Sequence, residues 1–192
     1  MIPLKNIVAG GDWQSQLREA ISSGEELLAQ LGLSSHSTGY DASAGVDFAV
    51  KVPLSFVSRM RHGDPQDPLL RQVLSHHDEL LQVPGYGPDP VGETGDAITH
   101  PGIIQKYRGR ALLILSGGCA INCRYCFRRH FPYSKNRNSR QEWTDALEHI
   151  AADATITEVI LSGCDPLLVA DADLQRLVDQ LADIPHLKRL RV

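Results

Sequence analysis

Between Ser116 and Tyr133 the chain reads SGGCAINCRYCFRRHFPY, and three of its four cysteines, Cys119, Cys123 and Cys126, fall within eight residues. With three and then two residues between them, their thiolates can converge on one metal centre from a single loop. They cannot all pair as disulfides. Four thiolates usually hold an iron–sulfur cluster, so a three-thiolate loop leaves one iron of a [4Fe–4S] cube without a protein ligand and open to chemistry. Arg124, Arg128 and Arg129 add cations that favour thiolates. Three other readings stay open: a structural zinc site completed by His130, a closed electron-transfer cluster completed by Cys164, and buried thiols that only pack. The glycine pair before Cys119 and the three arginines argue against the last.

The cysteine loop follows the apolar run Ala111–Leu115, which reads as a buried strand. Arg140–Ala151 reads as a helix with Trp143, Leu147 and Ile150 on one face, and Glu158–Leu161 as a second strand. Asp171–Leu181 follows as a helix with Leu174, Leu177, Val178 and Leu181 inward, and Leu187–Val192 begins a third strand. This βαβαβ order predicts an α/β fold with a parallel sheet and right-handed crossovers. Ligands of such folds gather at the carboxyl ends of the strands, where both the cysteine loop and Ser162-Gly-Cys-Asp-Pro166 fall. Two and a half βα units cannot close a barrel, and a last strand ending at Val192 leaves an unpaired edge. The expectation is the N-terminal part of a longer protein whose remaining strands carry the rest of the site.

Ahead of this lies a different pattern. Gly11–Leu33 reads as helical, with Asp12 capping a segment through Ile21 and Ser23 with Glu26 forming a capping box for Glu25–Leu31. Trp13, Leu17, Ile21, Leu27, Leu28 and Leu31 would form its buried face. Ser34–Val46 reads as a linker. Gly63–Pro68 forces a turn before a helical run Leu69–Leu81, on which the adjacent His76 and His77 face different directions. Val83–Pro101 reads as a long ordered loop. The expected division is a helical N-terminal extension with connecting loops over 1–105, and the first βα units over 106–192.

A length of 192 residues at 42% hydrophobic content suits one globular domain with an extension, and a net charge of −4 gives no reason to expect a nucleic-acid partner. The longest apolar run is too short to span a bilayer, and Met1–Lys5 lacks the layout of a signal peptide. A cytoplasmic location is expected, where four cysteines read as metal-binding or catalytic.

The cysteine motif resembles that of the radical S-adenosylmethionine (SAM) superfamily, with an aromatic residue, Tyr125, just before the third cysteine. Further stretches, in the same order, are similar to the lysine 2,3-aminomutase group within it, and more narrowly to the branch that serves modification of elongation factor P. These are Gly63–Gln72, Asp89–Glu93, Lys106–Arg110, Cys126–Tyr133 and Ser162–Pro166, so the resemblance covers roughly residues 48–192. It implies a partial parallel (β/α) barrel that binds the cluster through Cys119, Cys123 and Cys126, with SAM on the open iron. It also implies pyridoxal 5'-phosphate (PLP) as second cofactor and conversion of (S)-α-lysine to (R)-β-lysine. A separate ligase would use that product on elongation factor P.

By motif position, Tyr125, Ser162, Gly163 and Asp165 match SAM contacts, Tyr107 and Arg110 match residues near the PLP phosphate, and Arg128 matches the arginine that holds the substrate carboxylate. The lysine that carries PLP and the acids that grip the far amine of lysine lie in the C-terminal part of the family's pattern, outside this chain. Related aminomutases of glutamate or arginine are therefore alternatives, as is a non-catalytic metal-binding module. Cys164 departs from the pattern, which has glycine there. Its side chain is expected to strain a loop that glycine would relax.

Overall fold

The contacts of the chain divide it into two units, residues 1–86 with 120–129 and residues 87–119 with 130–192. The computed structural model describes residues 12–136 and 140–192. Residues 87–105, expected with the helical extension, group with the sheet instead. The readings made for Met1–Lys5 and Gly11 lie outside the described residues.

In the first unit, α1 (Trp13–Arg18) is capped by Asp12, whose carboxylate accepts the Ser15 N–H at 2.7 Å. The helix stops short of Ile21 because that residue exchanges two backbone hydrogen bonds with Val52, each 2.9 Å. The buried face therefore begins at Ile21: Trp13 is 47% exposed and Leu17 only half-buried. In α2 (Gly24–Gln30) Ser23 caps the Glu26 N–H, and Leu27 and Leu28, with Leu31 just past its end, pack on Val50, Val52, Met60, Leu70 and Val73. The stretch expected as a linker is folded, with α3 (Ser35–Thr38), a 3-10 turn at Ser43–Gly45 and a buried Ala44. Next come α4 (Leu54–Val57) and α5 (Pro68–Val73).

Asp67 caps α5, accepting from the N–H groups of Leu69, Leu70 and Arg61 at 2.8–3.0 Å. Burial raises its carboxyl pKa, but those donors outweigh burial and hold it below the ordinary value. The helix ends at Val73 and not near Leu81, because residues 75–77 pair with 39–41. Asp41 N–H donates to Ser75 O, Ser75 Oγ to Asp41 O, and His77 N–H to Gly39 O. His76 is then extended and caps a 3-10 turn, His77–Leu80, in a box closed by Glu79.

The second unit is built on a five-stranded sheet in the order β1 (Ile98–His100), β2 (Ile103–Tyr107), β3 (Arg110–Ser116), β4 (Glu158–Gly163), β5 (Arg189–Arg191). The last three run parallel, and the predicted helices join them as α7 (Arg140–Ala152) and α8 (Asp171–Ala182), after a short α6 (Tyr133–Asn136). Two antiparallel strands, β1 and β2, precede them; β1 lies within the stretch Val83–Pro101 expected as a loop, and β2 just beyond it. The β2–β3 turn is Arg108-Gly109, with Gly109 at φ +81° supplying the left-handed residue such a tight turn needs.

One sheet face buries Ala111, Leu113, Leu115, Val159 and Leu161 against Ala146, Leu147 and Ile150 of α7 and Leu177 and Leu181 of α8. Those helix positions recur at three and four residues, as an inward stripe requires. The other face holds the smaller cluster Ile104, Ile114 and Phe131. No helix among the described residues is long and apolar enough to cross a membrane.

Candidate metal centre

Cys119 closes the second unit's segment, while Cys123 and Cys126 belong to the first. The parts of the candidate site in the second unit sit at the carboxyl ends of adjacent parallel strands, as the βαβαβ reading predicts. Ser116 ends β3, and its hydroxyl both donates to Gly118 O (2.9 Å) and accepts from Gly118 N–H (3.1 Å), which shapes the glycine turn leading into Cys119. Its register partner on β4 is Gly163.

Gly163 has φ +117°, and a Cβ there would lie 2.4 Å from Ser116 O. Only glycine permits that approach. The Cys164 N–H donates to the same Ser116 O at 3.0 Å. No non-glycine residue among those described has positive φ, so Cys164 does not carry the strain expected of it. The glycine requirement falls one residue earlier, where the strand ends meet. Asp165 caps the 3-10 turn Pro166–Leu168 by accepting the Leu167 N–H at 3.0 Å, and Ser162 is half-buried on β4. Gly163→Ala should lower unfolding stability by about 2 kcal/mol or more, from backbone strain plus the contact. Urea unfolding checks this, and a midpoint equal to the parent's would show that the strand ends separate at no cost.

Residues 120–129 are fastened within the first unit. Asn122 donates from its backbone to Lys51 O (3.0 Å) and from its side chain to Ala49 O (2.9 Å); Arg124 N–H donates to Gln72 O (2.7 Å), and Ile121 packs on that unit's core. A turn between the two cysteines is closed by Cys126 N–H on Cys123 O at 3.0 Å.

Arg124 is the deepest anchor. Its guanidinium donates to both oxygens of Glu79 (3.0 and 2.6 Å) and to the carbonyls of Phe48 (2.5 Å) and Ala44 (2.9 Å), with its side chain only 6% exposed. Arg129 reaches the same carboxylate at 2.5 Å, and both guanidiniums lie over the Phe48 ring at 5.3 Å. Burial raises the Glu79 carboxyl pKa, but hydrogen bonds from Arg124 and Arg129 more than offset it, and the net position is below the ordinary value.

Two of the three arginines that the sequence suggested as thiolate-favouring cations are thus shared with one half-buried carboxylate. Glu79 is the functional residue that sequence reasoning missed. Nothing in the sequence links it to a loop 45 residues away.

Tyr125 is 70% exposed and donates its phenol to Gln72 Oε1 at 3.1 Å; hydrogen bonding to the Cys123 side chain raises its pKa. The half-buried Arg128 lies over the Phe127 ring at 4.9 Å. Tyr107 is 62% exposed at the end of β2. Arg110 opens β3 and meets the buried Glu158 through Nε at 3.0 Å; Arg191 approaches the other oxygen of Glu158 at 2.5 Å. Arg110 and Ser116 stand at opposite ends of β3, about 20 Å apart at ~3.3 Å per residue. The structure therefore does not bring the two expected PLP contacts to the strand end from which the cysteine loop leaves.

The donor sets suit the expected groups to different degrees. The four cysteines form no disulfide and are each half-buried, so three soft sulfur ligands are available to iron in one loop. Arg110 engages Glu158 by Nε, which leaves its two terminal nitrogens to meet a phosphate in the paired geometry guanidinium favours.

Comparison with known proteins adds three findings. A family described as a 4Fe-4S single cluster domain matches residues 107–187. The L-lysine 2,3-aminomutase of Escherichia coli K12 is 47% identical over 94% of this chain, and that of Haemophilus influenzae 44% over 94%. The L-lysine 2,3-aminomutase of Clostridium subterminale is 30% identical, again over 94%. The chain spans about half the length of these curated relatives: 53% of the first two and 44% of the third.

Proposed function

Because this chain belongs to the L-lysine 2,3-aminomutase family, we propose that it forms the cluster- and SAM-binding part of a cytoplasmic enzyme that converts (S)-α-lysine to (R)-β-lysine for modification of elongation factor P. The carrying observation is the triad Cys119, Cys123 and Cys126 on the loop that follows β3, together with the pairing of Ser116, which ends β3, with Gly163 on β4. The sheet is read as the start of a partial parallel barrel, with residues 106–192 supplying its first βα units. When bound, the [4Fe–4S] cluster with SAM supplies hydrogen-atom abstraction, and PLP supplies stabilisation of the migrating nitrogen.

The residues of this chain then have separable tasks. Cys119, Cys123 and Cys126 would hold the cluster by their thiolates, one ligand short of a closed set, which would leave it open to SAM. Tyr125, exposed on the loop, offers its ring to the adenine. Gly163 lets the β4 loop approach closely, and Ser162 and Asp165 offer polar atoms on either side of it. Tyr107 and Arg110, at the end of β3 away from the cysteine loop, keep only their motif match to the PLP phosphate and have no task at this strand end. Arg128 grips the lysine carboxylate with paired donors.

Anaerobic reconstitution followed by electron paramagnetic resonance tests this reading: a reduced cluster whose spectrum changes on adding SAM is expected. A colourless protein with stoichiometric zinc would overturn it in favour of a structural metal module. In the enzyme completed with its remaining strands, Arg128→Lys should weaken lysine binding about tenfold while PLP binding stays within twofold, because lysine keeps the charge but loses the fork. Equal lysine affinity in that variant would remove Arg128 from the substrate site.

A further inference from the structure

The break after α5 has a chemical result that a continuous helix would not have allowed. It brings the imidazoles of His76 and His77 to a centroid distance of 4.2 Å with a tilt of 30°, and one ligand atom from each, with one from Asp78, lies within 4.8 Å of the others. His77 Nδ1 is 3.1 Å from Gly39 O. A carbonyl only accepts, so Nδ1 carries a hydrogen, and in the neutral ring Nε2 presents a lone pair. That Nε2 faces Asp78 Oδ1 at 3.1 Å. His76 Nδ1 accepts the Asp78 N–H at 3.2 Å, a long contact that engages its lone pair, and it also faces Asp78 Oδ2 at 3.2 Å.

Imidazole nitrogens in their neutral acceptor form, set this close to a carboxylate, repel it unless a positive centre, a metal ion or a proton, stands among them. Ligands on a tetrahedral zinc, bonded at about 2.0–2.1 Å, stand about 3.3 Å from one another. The two nitrogen–oxygen distances here are close to that, each to a different oxygen of Asp78, so one ion would take both oxygens or turn the carboxylate toward one of them. We propose that His76, His77 and Asp78 form a second metal site, separate in ligand type from the cysteine loop, that takes one divalent ion of the zinc class.

The surroundings suit a ligand set of two imidazoles and a carboxylate. The Gly39 carbonyl fixes the His77 tautomer and ring plane, as outer-shell partners of metal-bound histidines do. Gly39 itself is at φ +68°, and a Cβ there would lie 2.1 Å from His76 Nε2, so glycine is what lets that ring pack. The side chains are 39%, 59% and 63% exposed, which leaves an entry path and a fourth position for water. The ion displaces only the long Asp78 N–H contact on His76. Its place in the chain is next to Glu79, so it cross-links the turn that presents the carboxylate to Arg124 and Arg129.

Cobalt(II) discriminates the two centres, because thiolate ligation gives intense near-ultraviolet charge-transfer bands and nitrogen–oxygen ligation only weak visible ones. In the full chain with Cys119, Cys123 and Cys126 all changed to serine, one cobalt should bind with weak visible bands alone, and zinc should displace it. His77→Ala or Asp78→Asn in that background should weaken binding about 10–100-fold. Both side chains are largely exposed, so circular dichroism should match the parent. The proposal is overturned if cobalt does not saturate the site near equimolar addition, or if both variants bind as the parent does. Imidazole signals that respond to pH but not to cobalt or zinc would overturn it too, assigning the positive charge to protons.

Discussion

Changing any one of Cys119, Cys123 or Cys126 to serine is expected to abolish the cluster: iron and sulfide after anaerobic reconstitution fall to background, and the brown absorption is lost. Each thiolate holds one iron, and serine is a hard oxygen donor that leaves its iron open to solvent and exchange. Cys164→Ala should retain full iron content in the same experiment. Its backbone N–H, which bonds Ser116 O, is kept, and the closed-cluster reading is the one that needs its sulfur. Iron lost from Cys164→Ala but kept in one of the other three would transfer the fourth ligand to the β4 loop and remove the open iron on which the proposed chemistry depends.

Glu79→Gln carries the second large effect. The change leaves Arg124 and Arg129 with buried guanidiniums and no carboxylate, and removing one partner of a buried ion pair costs about 3–5 kcal/mol. The side chains of Glu79 and Arg129 are 17% and 16% exposed, which places the expected loss at the lower end, about 3 kcal/mol. Urea unfolding reads that loss, and proteolysis within residues 120–129 should become faster than in the parent. A variant of unchanged stability and unchanged proteolysis would show that the two arginines find other acceptors.

The same group sets a pH dependence. The folded-state pKa of Glu79 lies below its ordinary value of 4.5, so its contribution is fully present above that value. The contribution is lost as pH falls from there through the depressed folded value. The parent should therefore lose stability on acidification more steeply than Glu79→Gln, and parallel acid profiles of the two would refute the linkage.

The order β3–α7–β4–α8–β5 is legible in the sequence because each element announces itself locally, by an apolar run of strand length or a stripe at three and four residues. The two preceding strands are not. β1 has three residues, and Pro101-Gly102 just after it reads as loop punctuation although it is the turn of a hairpin. The predicted helix through Leu81 fails for a related reason. Its periodicity is sound, but pairing of residues 39–41 with 75–77 supplies the backbone bonds a longer helix would have made.

At the candidate site the cysteines and the Ser162–Asp165 loop are visible as motifs. The strain assigned to Cys164 was one residue out, because which residue of a loop takes a left-handed conformation depends on the strand beside it. Glu79 was invisible, since its partners are brought to it only by the completed fold.

The bonds that fasten the cysteine loop also set an order of events in folding. Asn122 reaches back 73 residues to Ala49, Arg124 reaches 76 to Phe48 and 80 to Ala44, and none of its anchors is nearer than 45 residues. Contacts of such separation form only after the intervening chain has collapsed, since the closure entropy is lost before they return anything. The loop that holds Cys123 and Cys126 is therefore among the last parts to settle, and iron delivered to a nascent chain meets mobile thiols until residues 44–79 have folded. A protein expressed from residue 87 onward would keep all four cysteines and the whole sheet, yet the segment 120–129 would have lost every one of those tethers. Its cluster, once assembled, should exchange iron with chelators far faster than that of the full chain.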